Sequence, residues 1–185
     1  LEIAIATTLI LLLQLFVFGI QAKRLRETVT TMEITARRQL RAYVFIDSVR
    51  ITPVSVGAAP MVKVSFKNFG QTPAYNVMAT GRVALVPSFG EAPALTGDSA
   101  FNMGTQGPGA VATSSASLDP ALTAEQGSKI TDGSLTLFAY GLLQYTDAFK
   151  KQRFLRYRLR LVRGASEREP FMATCDEGNE ADAAD

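Results

Sequence analysis

With 185 residues, 47% of them apolar and 19% charged, the chain falls below the roughly one quarter of charged residues in an ordinary soluble domain and is too apolar to be disordered. No His, no Trp and one Cys exclude the usual zinc cages, Ser-His-Asp and Cys-His catalytic pairs, and any disulfide within one chain. The net charge of +2 hides a segregation: residues 21–42 sum to +4, residues 147–163 to +6 and residues 164–185 to −6.

Ile3 to Ile20 is a run of 18 residues without a charge. At 1.5 Å per residue it reaches about 27 Å, and its flanks extend it to the roughly 30 Å of a bilayer core. Only Glu2 precedes the run, and its exit reads Phe18-Gly19-Ile20-Gln21-Ala22, unlike the basic start and small-residue cleavage site of a signal peptide. Residues 1–22 are therefore expected to be a transmembrane helix that anchors the protein in a lipid bilayer. The Lys and Arg residues beside it all lie C-terminal to the run, which leans residues 23 onward to the cytoplasmic side.

Between Gln21 and Ala42 no Gly or Pro intervenes, and Leu25, Val29, Met32, Ala36 and Leu40 recur at helical spacing. Residues 23–42 read as an amphipathic basic stalk. Two uses are open to it: a short coiled coil that makes a homo-oligomer, or packing on its own domain. Lys23, Arg24, Arg26, Arg37, Arg38 and Arg41 form a basic collar expected to meet anionic headgroups.

Residues 43–163 have the size and patterning of an immunoglobulin-like antiparallel β-sandwich. Tyr43, Phe45, Asp47, Val49 and Ile51 alternate with Val44, Ile46, Ser48 and Arg50, and Val62, Val64 and Phe66 alternate with Lys63, Ser65 and Lys67. Asn68-Phe69-Gly70 supplies turn chemistry before a strand over about Ala74 to Val86. Residues 87–117 are rich in Gly, Pro, Ser, Ala and Thr and read as a connection with room for one short strand. Their Gly104-Thr105-Gln106-Gly107-Pro108-Gly109 core has neither P-loop nor dinucleotide-binding spacing. Asp119-Pro120 resembles a helix start, and Thr123 with Gln126 has capping-box spacing, so one short helix is expected. Leu135 to Tyr145 is the most apolar strand, hence the central one, and Arg153 to Val162 returns as its hairpin partner after Asp147-Ala148-Phe149-Lys150-Lys151. Residues 164–185 read as a flexible acidic tail.

Arg41-Ala42-Tyr43-Val44, Asn68 to Val77 (Asn-Phe-Gly-Gln-Thr-Pro-Ala-Tyr-Asn-Val), Tyr140-Gly141, Tyr145-Thr146-Asp147-Ala148-Phe149 and Cys175 to Asp182 (Cys-Asp-Glu-Gly-Asn-Glu-Ala-Asp) carry a resemblance. With these motifs, which run from stalk to tail, the chain resembles a group of proteobacterial single-pass membrane proteins to which no activity is assigned. The resemblance implies a bacterial inner-membrane location. The chain departs from the group's pattern at residues 150–160, which are unusually basic.

Candidate chemistry is sparse. Asp47 and Asp147 would serve a hydrolase only if they met across a cleft about 5 to 10 Å wide; Asp147 is better read as a turn residue that accepts backbone N–H groups. Ser114, Ser115 and Ser117 have no base but Lys129, and Cys175 sits among carboxylates that disfavour its thiolate. The strongest surface signal is Arg156, Arg158 and Arg160, three guanidinium groups on one strand face. They serve as edge protection, as a docking surface for an acidic partner or anionic lipid, or as the counter-charge on which the acidic tail folds back. One short stripe with a net charge of +2 is too little for nucleic acid. The expectation is a mainly β, membrane-anchored, non-enzymatic β-sandwich module for protein–protein or membrane-surface interaction, with no cofactor and no metal. The alternatives are a ligand-binding sandwich and the Asp47/Asp147 hydrolase.

Overall fold

The computed structural model describes residues 2–87, 100–162 and 170–182, and in the first helix it leaves aside the side chains of residues 2, 4, 6–8 and 10. The chain divides into two units, residues 1–40 and residues 41–185.

The first unit is one helix, α1 (Glu2–Leu40). Its only weak helix former of the Gly or Pro kind is Gly19. The hydroxyls of Thr28, Thr30, Thr31 and Thr35 donate to carbonyls one turn back, so these residues sit in the helix without competing against it. The expected transmembrane span over residues 1–22 is not supported: among the described residues, no helix is long and apolar enough to cross a membrane. The bilayer as partner and the single-pass inner-membrane placement are not supported either.

The second unit runs β1 (Val44–Ile51), β2 (Met61–Asn68), β3 (Ala74–Pro87), β4 (Phe101–Gln106), β5 (Val111–Ser117), α2 (Ala124–Thr131), β6 (Leu135–Thr146), β7 (Gln152–Val162), β8 (Phe171–Thr174) and β9 (Glu180–Ala181). One sheet has three strands in the order β1-β2-β5; the other has six, in the order β4-β3-β6-β7-β8, with β9 also paired to β7. All pairs are antiparallel. Val44, Val62, Val64 and Phe66 of the small sheet share one apolar cluster with Val77, Ala79, Leu137, Leu143, Leu155, Tyr157 and Leu159 of the large one.

A closed immunoglobulin-like sandwich is not what these strands build. Among the described residues the fold is mixed α/β, with two helices and two open sheets. Two features work against closure. The large sheet is apolar on both faces: Val86, Phe138 and Tyr140 form a second buried cluster apart from the main one, with Ala84 and Cys175 against it. The sheets are also unequal, since β8 and β9 extend the large sheet beyond β7 while the small sheet stops at three strands.

Local differences have local causes. The register of β1 against β2 shifts between Ile46 and Ser48, leaving Asp47 unopposed. This bulge moves the inward set from Val44 and Ile46 to Val49 and Ile51, so strict alternation, which put Phe45 with Val49, fails halfway. In the Ala- and Ser-rich segment two strands form instead of one; Val111–Ser117 is held by its pairing with β2, where Ser65 and Thr113 also share a hydroxyl bond of 2.9 Å. Residues 88–99 of that expected connection lie outside the described residues. The short helix begins later than Asp119-Pro120, which is a cis peptide. Thr123 is its N-cap, and the Thr123–Gln126 capping box is present in both directions.

Candidate functional site

Strand β7 sits beside the central β6, and its pleat sorts its residues by chemistry. Arg153, Leu155, Tyr157 and Leu159 are buried, whereas Arg156 and Arg160 are exposed and Arg158 is half-buried. Arg156, Arg158 and Arg160 therefore share the face away from the main core, opposite Leu142, Tyr140 and Phe138 of β6. The Arg158 guanidinium lies 4.9 Å from the centre of the Phe138 ring and that of Arg156 lies 5.8 Å from Phe154, both within cation–π range.

Along the free edge of β7 runs the acidic C-terminal segment. β8 pairs with Leu159–Val162, and β9 pairs Glu180 with Arg156 and Ala181 with Leu155. Between them the segment bulges outward, and the backbone bonds are replaced in part by a side chain. The Cys175 N–H donates to the Arg158 carbonyl at 3.0 Å. The Arg158 N–H donates to Asn179 Oδ1 at 2.9 Å, while Asn179 Nδ2 donates back to the Cys175 carbonyl at 2.7 Å. Gly178, at φ +81°, lies against the Arg158 stem; a Cβ there would come within 3.0 Å of Cδ. Glu180 completes the contact with an ion pair to Arg156 at 2.8 Å.

The segment ends in a buried charge network. Asp182 Oδ2 accepts from Arg153 Nη1 at 2.6 Å and stands 3.9 Å from Arg41 Nη1. Arg153 Nε donates to Asp147 Oδ2 at 2.9 Å, and Asp147 Oδ1 accepts the N–H groups of Phe149 and Lys151, which shapes the β6–β7 turn. Arg41 is 7% exposed, and its Nε and Nη1 have no hydrogen-bond partner. Nearby, the Tyr145 hydroxyl donates to the Ala42 carbonyl and accepts from the Val44 N–H, and burial pushes its pKa up. Asn68 is a second hub: its Oδ1 accepts from Tyr43 and Gly70, and its Nδ2 donates to the carbonyls of Thr72 and Gln106. The segments 41–44, 68–72, 145–149 and 179–182, far apart in sequence, are thus bonded into two connected networks.

The other residues singled out from the sequence are not assembled into a reaction centre. Lys23, Arg24, Arg26, Arg37 and Arg38 are exposed on α1, with Arg37 paired to Glu33; Arg41 is buried in the second unit and so does not belong with them. Asp47 is exposed on the β1 bulge, whereas Asp147 is buried, with its carboxylate bonded to the turn N–H groups and to Arg153. The Cys175 thiol is pushed up in pKa by burial, against the opposing pull of Arg158 and Arg160. No group of three His, Cys, Asp or Glu side chains able to hold a metal occurs among the described residues. An open cleft of about 730 Å³ beside β3 and β5 is lined by Arg82, Ser114, Ser115, Asp119 and Tyr140 among others; it lacks the enclosed apolar character required of the ligand-binding sandwich. Arg153, Asn179 and Asp182 carry the geometry but are assigned no role from the sequence, where the opposite charge of the β7 region and the tail is the signal that bears on them; Asn68 enters there only as turn chemistry. No known protein family matches the chain, and no curated protein is significantly similar to it.

Proposed function

We propose that residues 41–182 form a non-enzymatic binding domain that recognises acidic protein segments through the arginine face of β7. The observation behind this reading is the occupied state of that face, where Glu180 of the chain's own acidic segment is paired to Arg156 at 2.8 Å. That pair uses only part of the charge. Arg158 and Arg160 make no ion pair among the described residues, and the bulk of Arg158 is held in place by the Phe138 ring.

A fluorescent oligoglutamate peptide titrated into the full chain tests the reading. Binding should weaken several-fold in the double variant Arg158→Ser, Arg160→Ser and vanish near 1 M salt, where the Debye length is about 3 Å. Equal binding by wild type and variant would remove the arginine face as the recognition surface.

A further inference from the structure

We infer that the edge of β7 is a strand-addition site for an extended segment of pattern Asn-acid-x-acid, and that Asn179–Asp182 is a resident occupant which a partner protein's segment of that pattern replaces. This rests on the reading of β7 as an acid-binding strand and specifies its ligand.

The register assigns each position a task. The first residue offers a side-chain amide to the Arg158 backbone, in place of a backbone bond. The second extends a carboxylate to Arg156, and the third needs no particular side chain, since Ala181 is exposed opposite Leu155. The fourth turns a carboxylate inward between Arg153 and Arg41. Main-chain pairing supplies affinity and alternate side chains supply specificity, as in other β-augmentation sites.

The resident segment is built to be replaceable. Residues 176–181 are all exposed, and neither β8 nor β9 contains a fully buried residue. Beyond its backbone bonds it is held by the Asn179 side chain, by the exposed Glu180–Arg156 ion pair, which contributes less than about 1 kcal/mol, and at its inner end by the bond from Arg153 Nη1 to Asp182 Oδ2 at 2.6 Å, which a replacing segment re-forms with its own fourth-position carboxylate. It also leaves the inner end of the site incompletely used. Arg41 is 93% buried by its 7% exposure, its Nε and Nη1 lack a hydrogen-bond partner, and Asp182 stops 3.9 Å short of Nη1. A Glu in the fourth position is one methylene longer and reaches further toward Arg41.

The test uses the full chain, its exposed-site variant Glu180→Lys, and a labelled peptide with the sequence of residues 175–185 carrying Ser in place of Cys. Hydrogen exchange over residues 175–182 reports whether the resident segment is released, and anisotropy reports peptide binding. Wild type should bind the peptide weakly, because its own segment competes intramolecularly. Glu180→Lys should exchange faster over residues 175–182 and bind the peptide at least about tenfold tighter, as expected when the competent state becomes populated. Adding Arg156→Ser should weaken that binding several-fold, because the second-position carboxylate then meets no cation, and binding unchanged by it overturns the inference. Faster exchange with unchanged peptide affinity overturns the inference, and so does a segment that stays protected in both chains, which would make it a fixed part of the fold. Oligoglutamate binding through Arg158 and Arg160, followed in the same samples, separates failure of this site from failure of the arginine face as a whole.

Discussion

Single residues in this domain act mostly as junctions. Asn68, with 0% exposure, satisfies both lone-pair and both N–H positions of its amide, joining the entry of β1, the turn after β2 and the end of β4. Gly70 sits two residues on because a Cβ would lie 2.2 Å from the Arg41 carbonyl oxygen. Tyr157 depends on glycine in the same way. A Cβ on Gly141 would meet its hydroxyl oxygen at 2.3 Å and one on Gly81 at 2.9 Å, so two glycines make room for the phenol between strands. That burial pushes the Tyr157 pKa up from 10.0 to about 12. The folded phenol keeps its proton where the unfolded one has lost it, so stability is full below pH 10 and declines as pH rises toward 12. The loss by the upper end amounts to about 2 to 3 kcal/mol. Urea titrations at successive pH values should show the wild-type midpoint falling across this window, and Tyr157→Phe should flatten much of that fall; an unchanged slope would mean that the phenol ionises as easily folded as unfolded.

At the scale of elements, each strand or helix is set by a short-range pattern and placed by a partner. β2 is the plainest case, with Val62, Val64 and Phe66 buried and Lys63 and Lys67 turned away. β6 is buried on both faces from Leu137 to Gly141 and lies between β3 and β7, as its continuous apolar sequence leads one to expect. α2 buries only Ile130 and relies on its termini: Thr123 caps Gln126, Gln126 caps Thr123, and Glu125 pairs with Lys129. Thr123→Ala should therefore cost about 1 kcal/mol, measured by denaturant unfolding, with faster amide exchange confined to residues 124–131. No change in exchange there would show that packing of Ile130, rather than the cap, holds the helix. The acidic segment is the opposite kind of element, with little internal pattern and a position dictated by β7.

For the second unit as a whole, one apolar cluster serves both sheets. Phe66 of the small sheet has 0% exposure and packs its ring 5.7 Å from that of Tyr157 in the large one. Phe66→Ala should cost about 3 to 5 kcal/mol and lower the unfolding midpoint of both sheets together, as followed by fluorescence and by amide exchange in β2 and β6. Separate midpoints would show that the sheets have independent cores.

Local chemistry was legible before any coordinates: the β2 alternation, the central position of β6, the Thr123–Gln126 capping box and the Asp147 turn all follow from side chains a few residues apart. The candidate site was legible only in part, because the arginine ladder obeys a two-residue period whereas Arg153, Asn179 and Asp182 acquire meaning only once β7 and the tail lie side by side. Hydropathy led the reading of residues 1–22 to a bilayer span that the described part of α1 does not support. Periodicity led the reading of residues 43–163 to a closed sandwich, but alternation within a strand does not say how many strands each sheet gathers or whether both faces of a sheet are covered. By itself, then, the sequence determined the strands β2, β6 and β7 and the cap of α2, since those depend on neighbouring residues. The sheet partners, the β1 bulge, the buried Arg41–Asp182–Arg153–Asp147 network and the docking of an acidic segment on a basic strand were decided by tertiary structure, because each is a contact between residues whose separation along the chain carries no local signal.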